Sequence, residues 1–208
     1  MIRGLIFDLD GTLVDSLPGI AAALNHALED LGLPTHSEKA VAGFVGDGVD
    51  NLVRRALGTD LARHQDQVLR RFKDHYPQDW KTGTHPYPGM MDLLEELSKK
   101  GVPMAVLSNK PHPYTVEIVE AIFPANLFET ILGHLPGKPR KPDPTTALEI
   151  VNEWKLIPGE VAYVGDSTVD LATAQAAGLI PLIFSWGYGT PDDFPLLHSA
   201  DDLRQALS

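Results

Sequence analysis

Four short polar segments carry residue types that could do chemistry: Asp8-Leu9-Asp10-Gly11-Thr12, Ser108-Asn109-Lys110, Lys141-Pro142-Asp143-Pro144, and Gly165-Asp166-Ser167-Thr168-Val169-Asp170. Carboxylates gathered at one place repel each other unless a cation or protons intervene. Ligands that are all oxygen suit Mg²⁺ better than zinc or copper. A lysine adds a fixed positive charge, and Ser and Asn add neutral donors. Phosphoryl transfer needs such a set, because charge on the equatorial oxygens must be met by metal, ammonium and hydrogen-bond donors. Each residue also has a plainer reading. Asp8 and Asp10 could be solvated turn residues, Asp166 a helix cap, Asp170 a first-turn acid and Lys141 a surface lysine. The four segments taken together favour a site.

The segments matter only if the fold brings them together. Gly4 to Asp8 is a short apolar run ending in acid, as in a buried strand whose C-terminal tip is polar. Helical patterns follow without a strand between them: Ile20, Leu24, Leu28 and Leu31 on one face, then Ser37 to Phe44, Val49 to Leu57 and Leu61 to Tyr76. From Met90 onward helix and strand alternate. Strands are expected at Pro103 to Leu107, Glu129 to Leu132, Val161 to Val164 and Ile180 to Phe184, with a closing helix at Asp201 to Leu207. Such alternation implies an α/β fold, a Rossmann-like parallel sheet flanked by helices. The purely helical stretch interrupts it, so the expected division is a core of residues 1–14 and 82–208 with a four-helix insert at 15–81. In an open parallel sheet, ligands bind beyond the carboxyl ends of the strands, where three of the polar segments fall.

Composition narrows the functions. The chain has 208 residues, 43% hydrophobic and 22% charged, an ordinary globular balance. A net charge of −11 with no basic stripe disfavours a nucleic-acid partner but leaves room for a small phosphate ester. With no cysteine, disulfides, thiolate zinc sites and cysteine nucleophiles are excluded. The opening MIRGLIFDLDG is too briefly apolar for a signal peptide, and no stretch approaches the ~20 apolar residues of a membrane span. A cytoplasmic protein with no membrane partner is expected.

In this order, with a helical insert after the first, DLDGTLVD, LSN, KP and GDSTVD resemble the four motifs of the haloacid dehalogenase superfamily. The insert resembles that superfamily's C1 cap, and Val45 to Leu57 resembles the corresponding segment of phosphoglycolate phosphatases. The resemblance implies that Asp8 is the nucleophile, forming an aspartyl-phosphate and also binding Mg²⁺. Asp10 would be the general acid and base, with its carbonyl on the metal. Ser108 would donate to the phosphoryl group with Asn109 nearby, and Lys141 would neutralise Asp8 and the phosphate. Asp166 would be a direct metal ligand and Asp170 would hold a metal-bound water. It also implies a cis Lys141–Pro142 peptide. An acid at position 10 points away from dehalogenases and ion pumps, and Gly165 favours hydrolysis over mutase chemistry.

Gly46, Asp47 and Gly48 form either a turn before a helix or a substrate-facing loop. The expected activity is a phosphomonoester hydrolase acting on a small phosphorylated metabolite, with 2-phosphoglycolate first. Arg55 or Lys110 would meet the substrate carboxylate, and the cap would close to leave a confined chamber. Pyrophosphate or a sugar phosphate as substrate, a phosphomutase, and a binding module without catalysis are the alternatives in descending order. The expected assembly is a monomer or weak homodimer.

Overall fold

The computed structural model describes residues 1–208. Two compact units emerge: Met1–Val14 together with Pro86–Ser208, and Asp15–His85. The chain starts with β1 (Gly4–Phe7) and the short β2 (Val14–Asp15). The second unit is helical: α1 (Leu17–Glu29), α2 (Glu38–Ala42), α3 (Val49–Leu57) and α4 (Gln65–Gly83). Ile20, Leu24 and Leu28 are buried as the periodicity requires, and Pro18 sits in the first turn of α1, where a missing N–H costs nothing.

Helix α4 departs from the sequence expectation, which ended it at Tyr76 before Pro77. It continues through Pro77 to Gly83. Proline in a helix interior removes one hydrogen bond and crowds the preceding turn. Here Tyr76 and Trp80, 2% and 4% exposed, anchor both sides of the break in apolar packing.

The first unit returns with β3 (His85–Pro86), α5 (Met90–Lys99), β4 (Met104–Pro111) and α6 (His112–Ile122). Then come β5 (Thr130–His134), α7 (Thr145–Glu153), β6 (Val161–Gly165), α8 (Thr168–Ala177), β7 (Ile180–Phe184), β8 (Leu196–Leu197) and α9 (Ala200–Ala206). Six strands form one sheet in the order β5-β4-β1-β6-β7-β8, and its recorded pairings are parallel. This is the Rossmann-like α/β architecture expected from the sequence; the two-residue edge strand β8 had no signal there. Every residue of β1 and β6 is buried, as both faces of a central parallel strand should be.

The register sets the chemistry. Phe7, the last residue of β1, lies opposite Val106 on one side and Val164 on the other, so Asp8, Ser108 and Asp166 follow within two residues of one level. The residues that follow, Asp8, Ser108 and Asp166, therefore emerge on one edge. Strand β4 runs beyond its expected end at Leu107, with an irregular register between Leu107 and Pro111 where Ser108 to Lys110 lie.

Candidate active site

Asp8 leaves β1 with its backbone N–H donating to the Val164 carbonyl at 2.9 Å, which ties it to β6. Its Oδ1 lies 3.0 Å from Lys141 Nζ, and the same ammonium lies 2.7 Å from Asp170 Oδ1. Lys141 is 7% exposed and follows a loop in which the Lys141–Pro142 peptide is cis, as expected. Asn109 braces that loop: its Nδ2 donates to the Lys141 carbonyl at 3.1 Å, and its Oδ1 accepts from the Lys141 N–H at 2.9 Å. The Asn109 amide is thus committed to the Lys141 backbone. Ser108, also buried, accepts from the Lys110 N–H at 3.3 Å.

Helix α8 fixes the remaining acids. Ser167 caps it, and Asp170 completes the capping box. Asp170 Oδ2 accepts from Ser167 Oγ at 2.6 Å and from the N–H groups of Ser167 and Asp166 at 3.1 and 3.2 Å. Its cap role and its hold on Lys141 therefore coexist. Asp166, 2% exposed, accepts from Thr12 Oγ1 at 2.9 Å and from the Tyr188 N–H at 2.7 Å. Two glycines make room. A Cβ on Gly165 would lie 2.3 Å from the Asp170 Cβ, and one on Gly187 would lie 2.1 Å from the Asp166 Cβ. Thr12, Gly187 and Tyr188 belong to the site although sequence reading passed them over. Thr12 alone had a signal, its place within the first segment.

Asp10 is held differently. Lys110 Nζ donates to both of its carboxylate oxygens, at 3.0 and 2.9 Å. Gly46, Asp47 and Gly48 lie in the helical unit, where Gly46 and Gly48 adopt positive φ of 120° and 86°. Asp47 pairs with Arg55, which also donates to the Phe44 carbonyl at 3.1 Å. Both partners there are half-exposed.

The electrostatics leave a deficit of positive charge. Burial raises Asp8 to about 6 from 3.8; Lys141 opposes the shift and Asp170 adds to it. Burial, then Asp170 and Asp8, push Asp166 well above the carboxylate range, against the donors Tyr188 and Thr12. For Lys141 burial would lower the value, but Asp170 and Asp8 outweigh it and hold the ammonium well above the usual lysine range. Three buried carboxyl groups, Asp8, Asp166 and Asp170, thus share one buried ammonium, Lys141, and ionising all three without a further cation would leave an excess of negative charge, which is why Asp8 and Asp166 hold their protons more tightly than usual. A hard divalent cation fits both this excess and the oxygen donor set.

Residues 5–182 match the family model described as haloacid dehalogenase-like hydrolase. The chain belongs to that family. It is 34% identical to a phosphoglycolate phosphatase of Escherichia coli strain K12, covering 99% of this chain and 92% of that protein. With a phosphoglycolate phosphatase of Pseudomonas putida the identity is 39%, over 99% and 78% of the two chains. A solved structure from Lactobacillus delbrueckii subsp. bulgaricus superposes with a TM-score of 0.92 at 29% identity, covering 99% of this chain and 98% of that one. Within the haloacid dehalogenase-like family the chain is accordingly a phosphatase. No helix is long and apolar enough to cross a membrane.

Proposed function

We propose that this phosphatase hydrolyses a small phosphomonoester through an aspartyl-phosphate on Asp8, with 2-phosphoglycolate as its substrate. The observation that carries the chemistry is the placement of Asp8, 3.0 Å from the buried Lys141 ammonium, on an edge where three buried carboxyl groups share that one cation. Asp8 would attack phosphorus as the ester P–O bond breaks, and Asp10 would give its proton to the leaving alkoxide. Asp10 would then take a proton from the water that attacks the phosphoryl group, releasing phosphate and restoring the Asp8 carboxylate. Ser108 would donate to the phosphoryl oxygens, while Lys141 balances charge on Asp8 and on those oxygens.

Asp8, Asp166 and the Asp10 carbonyl would hold Mg²⁺, with Asp170 behind them. When bound, the ion supplies charge neutralisation for the phosphoryl oxygens. Asn109 would act by positioning Lys141 through its two backbone hydrogen bonds.

Two things support 2-phosphoglycolate: the similarity to phosphoglycolate phosphatases over nearly the whole chain, and the ammonium of Lys110 beside Asp10. For Asp10 to carry a proton, Lys110 must leave one of its oxygens, and a substrate carboxylate offers it a new partner. Arg55 is engaged by Asp47 and the Phe44 carbonyl and Lys110 by Asp10; because its partner is the general acid itself, Lys110 is the favoured of the two basic groups. The test is kcat/KM for 2-phosphoglycolate, pyrophosphate, a hexose phosphate and a nucleoside monophosphate at one Mg²⁺ concentration. The expected leader is 2-phosphoglycolate. A tenfold lead for the nucleotide or the hexose phosphate would remove that substrate while leaving the Asp8 chemistry standing.

A further inference from the structure

The helical unit carries a cluster that the Asp8 chemistry does not use. Helices α1 and α4 pack closely because Gly19 and Gly83 bear no side chain: a Cβ on Gly83 would lie 2.3 Å from the Gly19 nitrogen. Each helix presents a His-x-x-x-Asp pair, His26 with Asp30 on α1 and its C-cap, and His75 with Asp79 on α4. Residues four apart share one helix face. The pairs meet in antiparallel fashion. His26 Nδ1 is 2.9 Å from Asp79 Oδ2, and His75 Nε2 is 2.9 Å from Asp30 Oδ2. The two imidazole rings lie 5.3 Å apart. One ring nitrogen from each histidine and one Asp79 oxygen all fall within 4.8 Å of one another.

We propose that His26, His75 and Asp79 form a binding site for a divalent transition metal of the Zn²⁺ type, cross-linking α1 and α4. Two imidazoles and a carboxylate suit zinc, nickel or copper rather than the Mg²⁺ favoured by an all-oxygen edge. Bonds of ~2.0–2.1 Å place tetrahedral ligand atoms roughly 3.3 Å apart. A gap at the 4.8 Å limit would therefore close by about 1.5 Å, and shorter gaps by less. Rotation of side chains that are 17% to 48% exposed can supply this.

The surroundings already orient one ligand. Asp30 accepts the Nε2 proton of His75, which leaves the Nδ1 lone pair for an ion, the carboxylate–histidine support common behind metal ligands. The ion takes the place of the proton between His26 Nδ1 and Asp79 Oδ2, and that imidazole proton moves to Nε2. Arg71 lies 3.8 Å from Asp30, so its charge falls on the orienting carboxylate.

Zinc titration of the full-length chain by calorimetry, with Mg²⁺ in excess, tests the site. The wild type is expected to bind one Zn²⁺ at this cluster. His26→Gln and His75→Gln should each weaken binding tenfold or more, and Asp30→Asn by ~10–100-fold through lost orientation. Asp166→Asn should leave this binding intact; any further Zn²⁺ equivalent that disappears in Asp166→Asn belongs to the carboxylate edge and leaves the expectation met. Circular dichroism establishes that each variant is folded. Absence of Zn²⁺ binding, unchanged affinity in both folded histidine variants, or loss of all binding in Asp166→Asn would overturn the proposal.

Discussion

Lys110 Nζ donates to both oxygens of the Asp10 carboxylate, at 3.0 and 2.9 Å, across 100 positions of sequence. The side chains are only 6% and 13% exposed, so neither partner has much access to water. Removing one member of a buried pair leaves the other uncompensated, at ~3–5 kcal/mol in the fully buried limit. Lys110→Met is expected to lower stability by about 3 kcal/mol and to reduce kcat, because Asp10 loses the partner that orients it. In urea denaturation, the Lys110→Met/Asp10→Asn cycle should show coupling of at least ~1 kcal/mol. Additive effects would contradict an energetic pair.

Gly165 is expected to resist any side chain. A methyl group there would meet the Asp170 Cβ at 2.3 Å, and Asp170 cannot yield without releasing Lys141. Gly165→Ala should lower stability by ~1–3 kcal/mol through overpacking, and activity should fall with it. Gly159→Ala is the control, since nothing lies within 4 Å of its added Cβ. Equal behaviour of the two variants in thermal melts and turnover assays would contradict this account of the Asp170–Lys141 link.

Asp8 gives the metal-free protein a pH dependence of definite sign. Its folded-state value of about 6 lies above the ordinary 3.8, so between these values the folded chain holds more proton than the unfolded one. The contribution of Asp8 to stability is present below 3.8 and is lost as pH rises through about 6. Asp8→Asn removes this dependence. In EDTA, the Tm of Asp8→Asn relative to wild type should therefore rise across that window and level off above it. A flat or falling difference would contradict a burial penalty on Asp8 that outweighs its pairing with Lys141.

Magnesium should reverse that penalty. A ligand at about 100 times its Kd adds roughly 2.7 kcal/mol to stability. For a chain of this size that corresponds to a Tm increase of roughly 5–10 °C. The shift should shrink in Asp166→Ala, and chelation should abolish turnover. Full activity in excess EDTA, or a Tm indifferent to Mg²⁺, would contradict the charge balance at the edge.

Much of the site was legible because chain order and strand period are local signals. The apolar run before Asp8 and the helix after Ser167 locate two acids, and the parallel sheet brings them to one edge through the paired ends of β1 and β6. What stayed hidden depends on contacts between distant side chains. Nothing around Lys110 marks Asp10 as its partner, and nothing around Asn109 marks the backbone of Lys141, 32 positions away. Gly187 reveals its purpose only when Asp166 lies where its Cβ would be. The helical unit follows the same rule. The i, i+4 spacing of His75 and Asp79 is visible in sequence, but the opposing His26 and Asp30 require the antiparallel packing of α1 on α4.

The most direct measurement is kcat of purified Asp8→Asn toward a small phosphate ester in saturating Mg²⁺, alongside circular dichroism to establish its fold. The amide is nearly isosteric with the carboxylate but cannot serve as the nucleophile. The expected result is a folded protein whose kcat has fallen by ~10⁴-fold or more. A folded Asp8→Asn with kcat within tenfold of wild type would contradict Asp8 as the residue that takes the phosphoryl group.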